Sequence, residues 1–158
     1  EYPTSEQMAE MAISTARVVR LFGFDPKVAF VSHSTFGQPL TSRTKHIRKA
    51  VDILKEKKVD FEFDGDMQPD VALNPEYEEL YPFSKIVGKA NILIMPGQHS
   101  AAISYKMMKT FGDTKVIGPL LIGLELPIEI APLRSSTSEL INLASIAAYS
   151  ADVIDYKK

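Results

Sequence analysis

The sequence predicts an α/β fold, with a mostly parallel central sheet and helices on both faces. Three observations carry this expectation. KVAFVS (residues 27–32) and ILIM (residues 92–95) are short, unbroken apolar runs, each followed by polar turn residues, as strands buried on both faces are. The segments around them repeat apolar residues every three to four positions, the mark of amphipathic helices. Strand and helix patterns also follow one another in the order of a βαβ crossover.

The helices start with recognisable caps. Thr4-x-x-Gln7 reads as a capping box, and Met8, Met11, Ala12, Ala16, Val19 and Phe22 make the stripe behind it, closed by Gly23 and Pro26. After KVAFVS comes the polar loop Ser32-His33-Ser34-Thr35-Phe36-Gly37-Gln38-Pro39. Thr41 or Ser42 can cap the next helix, in which Ile47, Ala50, Val51 and Leu54 face inward. Its cations Arg43, Lys45, Arg48 and Lys49 read as a solvated face, with a phosphate contact by Arg43 or Lys45 as the functional alternative. Residues 59–63 alternate apolar and acidic and read as a half-exposed strand. DGDMQPD (residues 64–70) lacks the glutamate that closes a calcium loop, so its aspartates are expected to serve turns and helix caps. Residues 74–88, with Pro75 and Pro82, read as short helical pieces and loop.

Residues 90–112 are the organising stretch. The ILIM strand ends at Pro96-Gly97, and a helix follows from Gln98, His99 and Ser100, with Ala101, Tyr105, Met108 and Phe111 in one stripe and Gly112 as the stop. In open α/β sheets ligands sit beyond the carboxyl ends of the strands, near helix N-termini. Ser32, Thr35, His99 and Ser100 are therefore candidate site residues. Residues 115–124 and 127–133 read as an irregular or antiparallel strand pair, and Ser136-x-x-Glu139 caps a last helix carrying Leu140, Leu143, Ala144, Ala147 and Ala151.

Composition excludes several functions. A formal net charge of −2 leaves no basic excess to neutralise nucleic-acid phosphates. No apolar run approaches the ~18 residues of a membrane span. Without cysteine there is neither a disulfide nor a thiolate metal site, which fits a cytoplasmic protein. The chain opens on Glu1 rather than methionine, as a fragment of a longer chain would. There is no G-x-G-x-x-G, P-loop or H-E-x-x-H motif, and His33, His46 and His99 are scattered.

From about residue 28 to 151 the sequence resembles the C-terminal half of phosphate acetyltransferases, which exchange acetyl groups between coenzyme A and phosphate. VAFVSHSTFG, DGDMQPDVAL, SKIVGKANILIMP, ISYKM, IGPLLIGLELPI and ELIN match in the family's order. The resemblance implies one lobe of a two-lobed α/β fold with a coenzyme A cleft, so residues 1–158 would be the C-terminal half of such a domain. Active members carry a serine–arginine pair before the last helix, and here those positions hold Pro132 and Leu133. A leucine can neither donate a hydrogen bond nor balance an oxyanion. The family's last-helix aspartate is Glu139, its lysine before the Gly-x-Ala-Asn strand is Leu80, and its glycine–asparagine is Ala101-Ala102; Tyr105 and Lys106 are kept.

LYPFS, ANILIMP, His99-Ser100 and Pro132-Leu133 are similar to the transacetylase-like C-terminal region of large bacterial NADP-dependent malic enzymes. That resemblance implies a non-catalytic module that senses acetyl-coenzyme A and controls an upstream malic enzyme domain. It assigns the effector to Tyr105, Lys106, Leu133, Arg134, Asn142 and Ile146, with no catalytic or metal-binding residue in this stretch. NADP and a divalent metal would belong to the upstream domain, and a homo-oligomer is expected. Two alternatives stand beside it: an active phosphate acetyltransferase that uses Arg134 as its arginine, and a lobe that serves mainly in oligomerisation.

Overall fold

The computed structural model describes residues 2–112, 116–124 and 126–153. They form two compact units divided between Tyr105 and Lys106.

In the first unit three parallel strands, β1 (Lys27–Val31), β2 (Glu62–Met67) and β3 (Ile92–Ile94), lie in the order β2-β1-β3. Alternate residues of the central strand supply the two faces. Val28 and Phe30 pack beneath helices α1 (Ser5–Leu21) and α2 (Ser42–Glu56), which contribute Met8, Ala12, Ala16, Ile47, Ala50, Val51 and Leu54. Ala29 and Val31 face the other way, toward Met67, Ile86, Ala90 and Ala72 of the short helix α3 (Pro69–Leu73). The α/β expectation, with helices on both faces of a parallel sheet, is met.

Both helix starts are built as read. Thr4 Oγ1 accepts from the Gln7 N–H at 3.1 Å while Gln7 Oε1 accepts from the Thr4 N–H at 2.8 Å. Thr41 and Thr44 make the same reciprocal pair at the head of α2. Met11 and Phe22 of the α1 stripe are exposed instead of buried, because they lie at the margins of its inward face.

The reading of residues 59–70 needs correction. The strand is β2, it runs through Asp64-Gly65-Asp66, and both aspartates are buried in it rather than spent on a turn. Gly65 makes this possible. Its φ is +150°, and a Cβ there would stand 2.7 Å from the Phe30 carbonyl oxygen, so the two backbones touch where a side chain would part them. Only Asp70 is in a helix's first turn. A 3-10 turn, Pro75–Glu79, opens the predicted loop.

Helix α4 (Gln98–Phe111) begins as expected, but it has no buried residue; Met108 and Phe111 of its apolar stripe are exposed. In the second unit the expected strand pair is, among the described residues, a single antiparallel bridge, Leu120 with Glu129. The expected positions Lys115 and Glu125 lie outside the described residues. Helix α5 (Thr137–Val153) follows its capping box: the Glu139 N–H donates to Ser136 Oγ, and the Ser136 N–H donates to Glu139 Oε2 at 2.7 Å. Of its predicted stripe Leu143 is buried, whereas Leu140 is exposed. Among the described residues no helix is long and apolar enough to cross a membrane.

Candidate functional site

The chain leaves β1 by α2 to reach β2 on one side, then returns through α3 to place β3 on the other. The connections therefore diverge between the carboxyl ends of β1 and β3, the place where α/β sheets open a ligand crevice. Ser32 and Thr35 follow β1; His99 and Ser100 follow β3.

The loop after β1 is clamped to the end of β2. The Ser32 N–H donates to the Met67 carbonyl at 2.9 Å, and the Phe36 N–H donates to the Asp66 carbonyl at 2.6 Å. Gln68 gives its backbone N–H to Thr35 Oγ1 at 3.2 Å and its Nε2–H to the His33 carbonyl at 2.8 Å. Ser34, fully buried, donates its hydroxyl to Asp66 Oδ2 at 2.6 Å and its N–H to Ser32 Oγ at 2.9 Å. From the far side, Arg48 of α2 donates to the Phe36 carbonyl at 3.1 Å.

This bonding decides what the loop offers a ligand. The oxygens of Ser32 and Thr35 each accept a backbone N–H, and their hydroxyl hydrogens find no acceptor among the described residues. Each is then a spare donor, suited to a phosphoryl or carbonyl oxygen. Ser100 is different. Its hydroxyl donates to the Gly97 carbonyl at 2.8 Å, so it braces the first turn of α4. His99 is exposed at that helix start, and Tyr105 is half-buried further along.

Beside the crevice lies a cavity of about 400 Å³, bounded by Tyr2, Thr4, Met8, Arg43, His46 and Pro96. The Arg43 guanidinium rests 4.7 Å from the centre of the Tyr2 ring, so Arg43 is part of this wall rather than simply solvated. Lys49 pairs with Glu6 at 2.9 Å, the bland role expected of it.

The remaining predicted contacts are in the second unit. Lys106 is exposed and has no ion pair among the described residues. Leu133 and Arg134 share an exposed turn closed by the Ser135 N–H on the Pro132 carbonyl at 3.0 Å. Asn142 and Ile146 are half-buried on α5. Glu139 is held at about pKa 2, well below its ordinary 4.5, first by the Ser136 N–H and next by the Lys109 ammonium at 3.1 Å. The structure thus brings together Ser32 with Thr35, His99 with Ser100, and Leu133 with Arg134. Among the described residues no group of three or more His, Asp or Glu side chains is placed to hold a metal.

Asp66 and Gln68, the residues that clamp the loop, were missed by the sequence reading. Their signal was Gly65, since a glycine inside a strand marks close backbone approach rather than a turn.

Comparison with known proteins adds the following. Residues 1–148 match the family model described as phosphate acetyl/butaryl transferase. An NADP-dependent malic enzyme of Rhizobium meliloti (strain 1021) is 48% identical over 96% of this chain, which spans only 20% of that protein. The phosphate acetyltransferase of Bacillus subtilis (strain 168) is 35% identical over 94% of this chain, and 46% of that relative is covered. A phosphotransacetylase structure from Streptococcus pyogenes superposes with a TM-score of 0.89 at 34% identity, over 96% of this chain and 46% of the other.

Proposed function

The chain belongs to the phosphate acetyl/butaryl transferase family, and from that premise we propose that it is a non-catalytic module that senses acetyl-coenzyme A and controls an upstream NADP-dependent malic enzyme domain. The match to malic enzymes, of which this chain spans about a fifth, supports a regulated partner on the same polypeptide. That domain would decarboxylate malate oxidatively to pyruvate and would hold the NADP and the divalent metal.

One observation carries the loss of transfer chemistry. At the position the resemblance gives to the catalytic arginine stands Leu133, whose side chain is fully exposed and has nothing with which to steady a developing oxyanion. A ligand still finds donors. In the first unit the Ser32 and Thr35 hydroxyls can donate to phosphoryl or carbonyl oxygens; in the second, Lys106, which has no ion pair among the described residues, can meet a phosphate. Tyr105, Arg134, Asn142 and Ile146 complete the contacts that the resemblance assigns. The whole protein is proposed to be a homo-oligomer, which light scattering on the full chain would test.

The test is enzymatic. In the full-length protein, acetyl-coenzyme A is expected to change the rate of malate-dependent NADP reduction, while acetyl phosphate plus coenzyme A gives no acetyl-coenzyme A. Turnover in the second assay would favour the alternative that this is a working phosphate acetyltransferase. Arg134, next to Leu133 in the exposed turn, is the observation that keeps that alternative open.

A further inference from the structure

We propose that Asp66 is a positioning residue of this effector site, fixing the Ser32 hydroxyl by way of Ser34. The inference rests on the reading of residues 32–35 as ligand donors.

Two aspartates sit on β2 with Gly65 between them, and they are treated differently. Asp64 is satisfied on both oxygens, by the Gly65 N–H at 2.9 Å and the Lys85 N–H at 2.8 Å. It ties the segment before β3 to the sheet, a structural duty. Asp66 is fully buried, yet Oδ2 has one hydroxyl donor and Oδ1 has no partner among the described residues. No cation pairs with it among those residues either. A buried carboxylate so poorly served costs stability, and a same-sized neutral or apolar group would fit the fold as well or better. Such a group is expected where function, not folding, selects it.

The bonding shows what is gained. Ser34 is buried and cannot touch a ligand, but it links Asp66 to Ser32. The carboxylate takes the Ser34 hydroxyl at 2.6 Å, a short charge-assisted bond, and so fixes that residue. The Ser34 N–H is then aimed at Ser32 Oγ at 2.9 Å, which occupies a lone pair there and turns the Ser32 hydrogen outward. Gln68 does the same for Thr35 from the next turn of chain. The end of β2 is therefore the template on which both donors are set.

The experiment compares Asp66→Asn, Ser34→Ala and the double variant in the full-length protein. Acetyl-coenzyme A binding, measured by calorimetry, should weaken about tenfold in each single variant, and no further in the double, because both act on one chain of bonds. The melting temperature should stay level or rise in Asp66→Asn and in the double variant, which a purely structural role would not allow, and should fall in Ser34→Ala alone, which takes from Asp66 its one hydroxyl donor. Wild-type affinity in both single variants, losses that add in the double, or a fall in melting temperature in Asp66→Asn matching its affinity loss would each overturn the proposal. A ligand-free measurement separates this from the function itself. Hydrogen exchange at the Ser34 amide should speed at least about tenfold in Asp66→Asn, and an unchanged rate would sink the positioning role. If the wild-type protein binds no acetyl-coenzyme A, the proposed function fails, and the amide rate still decides the role of Asp66.

Discussion

The two units use similar apolar periodicity to opposite ends. In the first, Met8, Ala12 and Ala16 of α1 and Ile47, Ala50, Val51 and Leu54 of α2 are almost wholly hidden against the sheet. In the second, Leu121, Leu124, Leu126, Ile128 and Ile130 all stand exposed, and Leu133 is fully exposed. The difference is not one of hydrophobicity. A stripe is buried only when a second layer exists to cover it, and the three strands of the first unit supply that layer. The chain spans just under half of two phosphotransacetylase structures on which it superposes.

The contrast can be broken most directly by deleting one leucine from each unit. Leu54→Ala removes a fully buried side chain and should cost about 3 kcal/mol in urea denaturation, from lost transfer energy plus the cavity left behind. Leu133→Ala should stay within about 0.5 kcal/mol, as exposed substitutions do. A comparable loss in both would mean that the second unit has a cover within this chain, and the comparison would collapse.

A smaller effect is expected at Lys106. Lys106→Ala should weaken acetyl-coenzyme A binding by the full-length protein roughly ten- to a hundredfold, the worth of one charge-assisted contact at about 1.5–3 kcal/mol. Unchanged affinity by calorimetry would remove Lys106 from the site.

Acid provides the finest test. Glu6 in the first turn of α1 and Glu139 in the cap of α5 are both held at about pKa 2, Glu6 chiefly by the hydrogen bond from Lys49 and Glu139 chiefly by the Ser136 N–H. Both values lie below the ordinary 4.5, so the stabilisation is fully present above about pH 4.5 and is lost as pH falls toward 2. The titration is the same, but α1 is also held by the core whereas α5 leans more on its cap. Amide exchange followed between pH 5 and 2 should show α5 opening before α1, and Glu139→Gln should flatten the α5 profile. Simultaneous opening would show that the two helices are equally dependent on packing.

Much of the first unit was legible because its signals are local. Thr4-x-x-Gln7, the α2 stripe and the two apolar runs each specify their own geometry, and the structure repeats them. Ser32 and Thr35 could be placed at the sheet's carboxyl edge from the same order of elements. What was not legible depends on distant partners. Nothing near Asp66 in the chain announces that Ser34, 32 residues earlier, will bury it. The Met108 and Phe111 stripe was read as inward because periodicity names a face, not what covers it. Among the described residues of 115–133 the expected strand pair shrank to one bridge for a related reason: apolar, β-branched runs favour strands only where a neighbour can complete the ladder.

The clamped loop after β1 has a consequence in time as well as in energy. Because its backbone is already held by β2, and its two hydroxyl oxygens by the Ser34 and Gln68 N–H groups, a ligand arriving there orders almost nothing, and encounter is slowed by orientation alone. Loosening the clamp would leave the rate of arrival nearly unchanged and shorten the stay. Under the proposed sensing role, residence time would be set separately from capture rate, by a strand end that the ligand never touches.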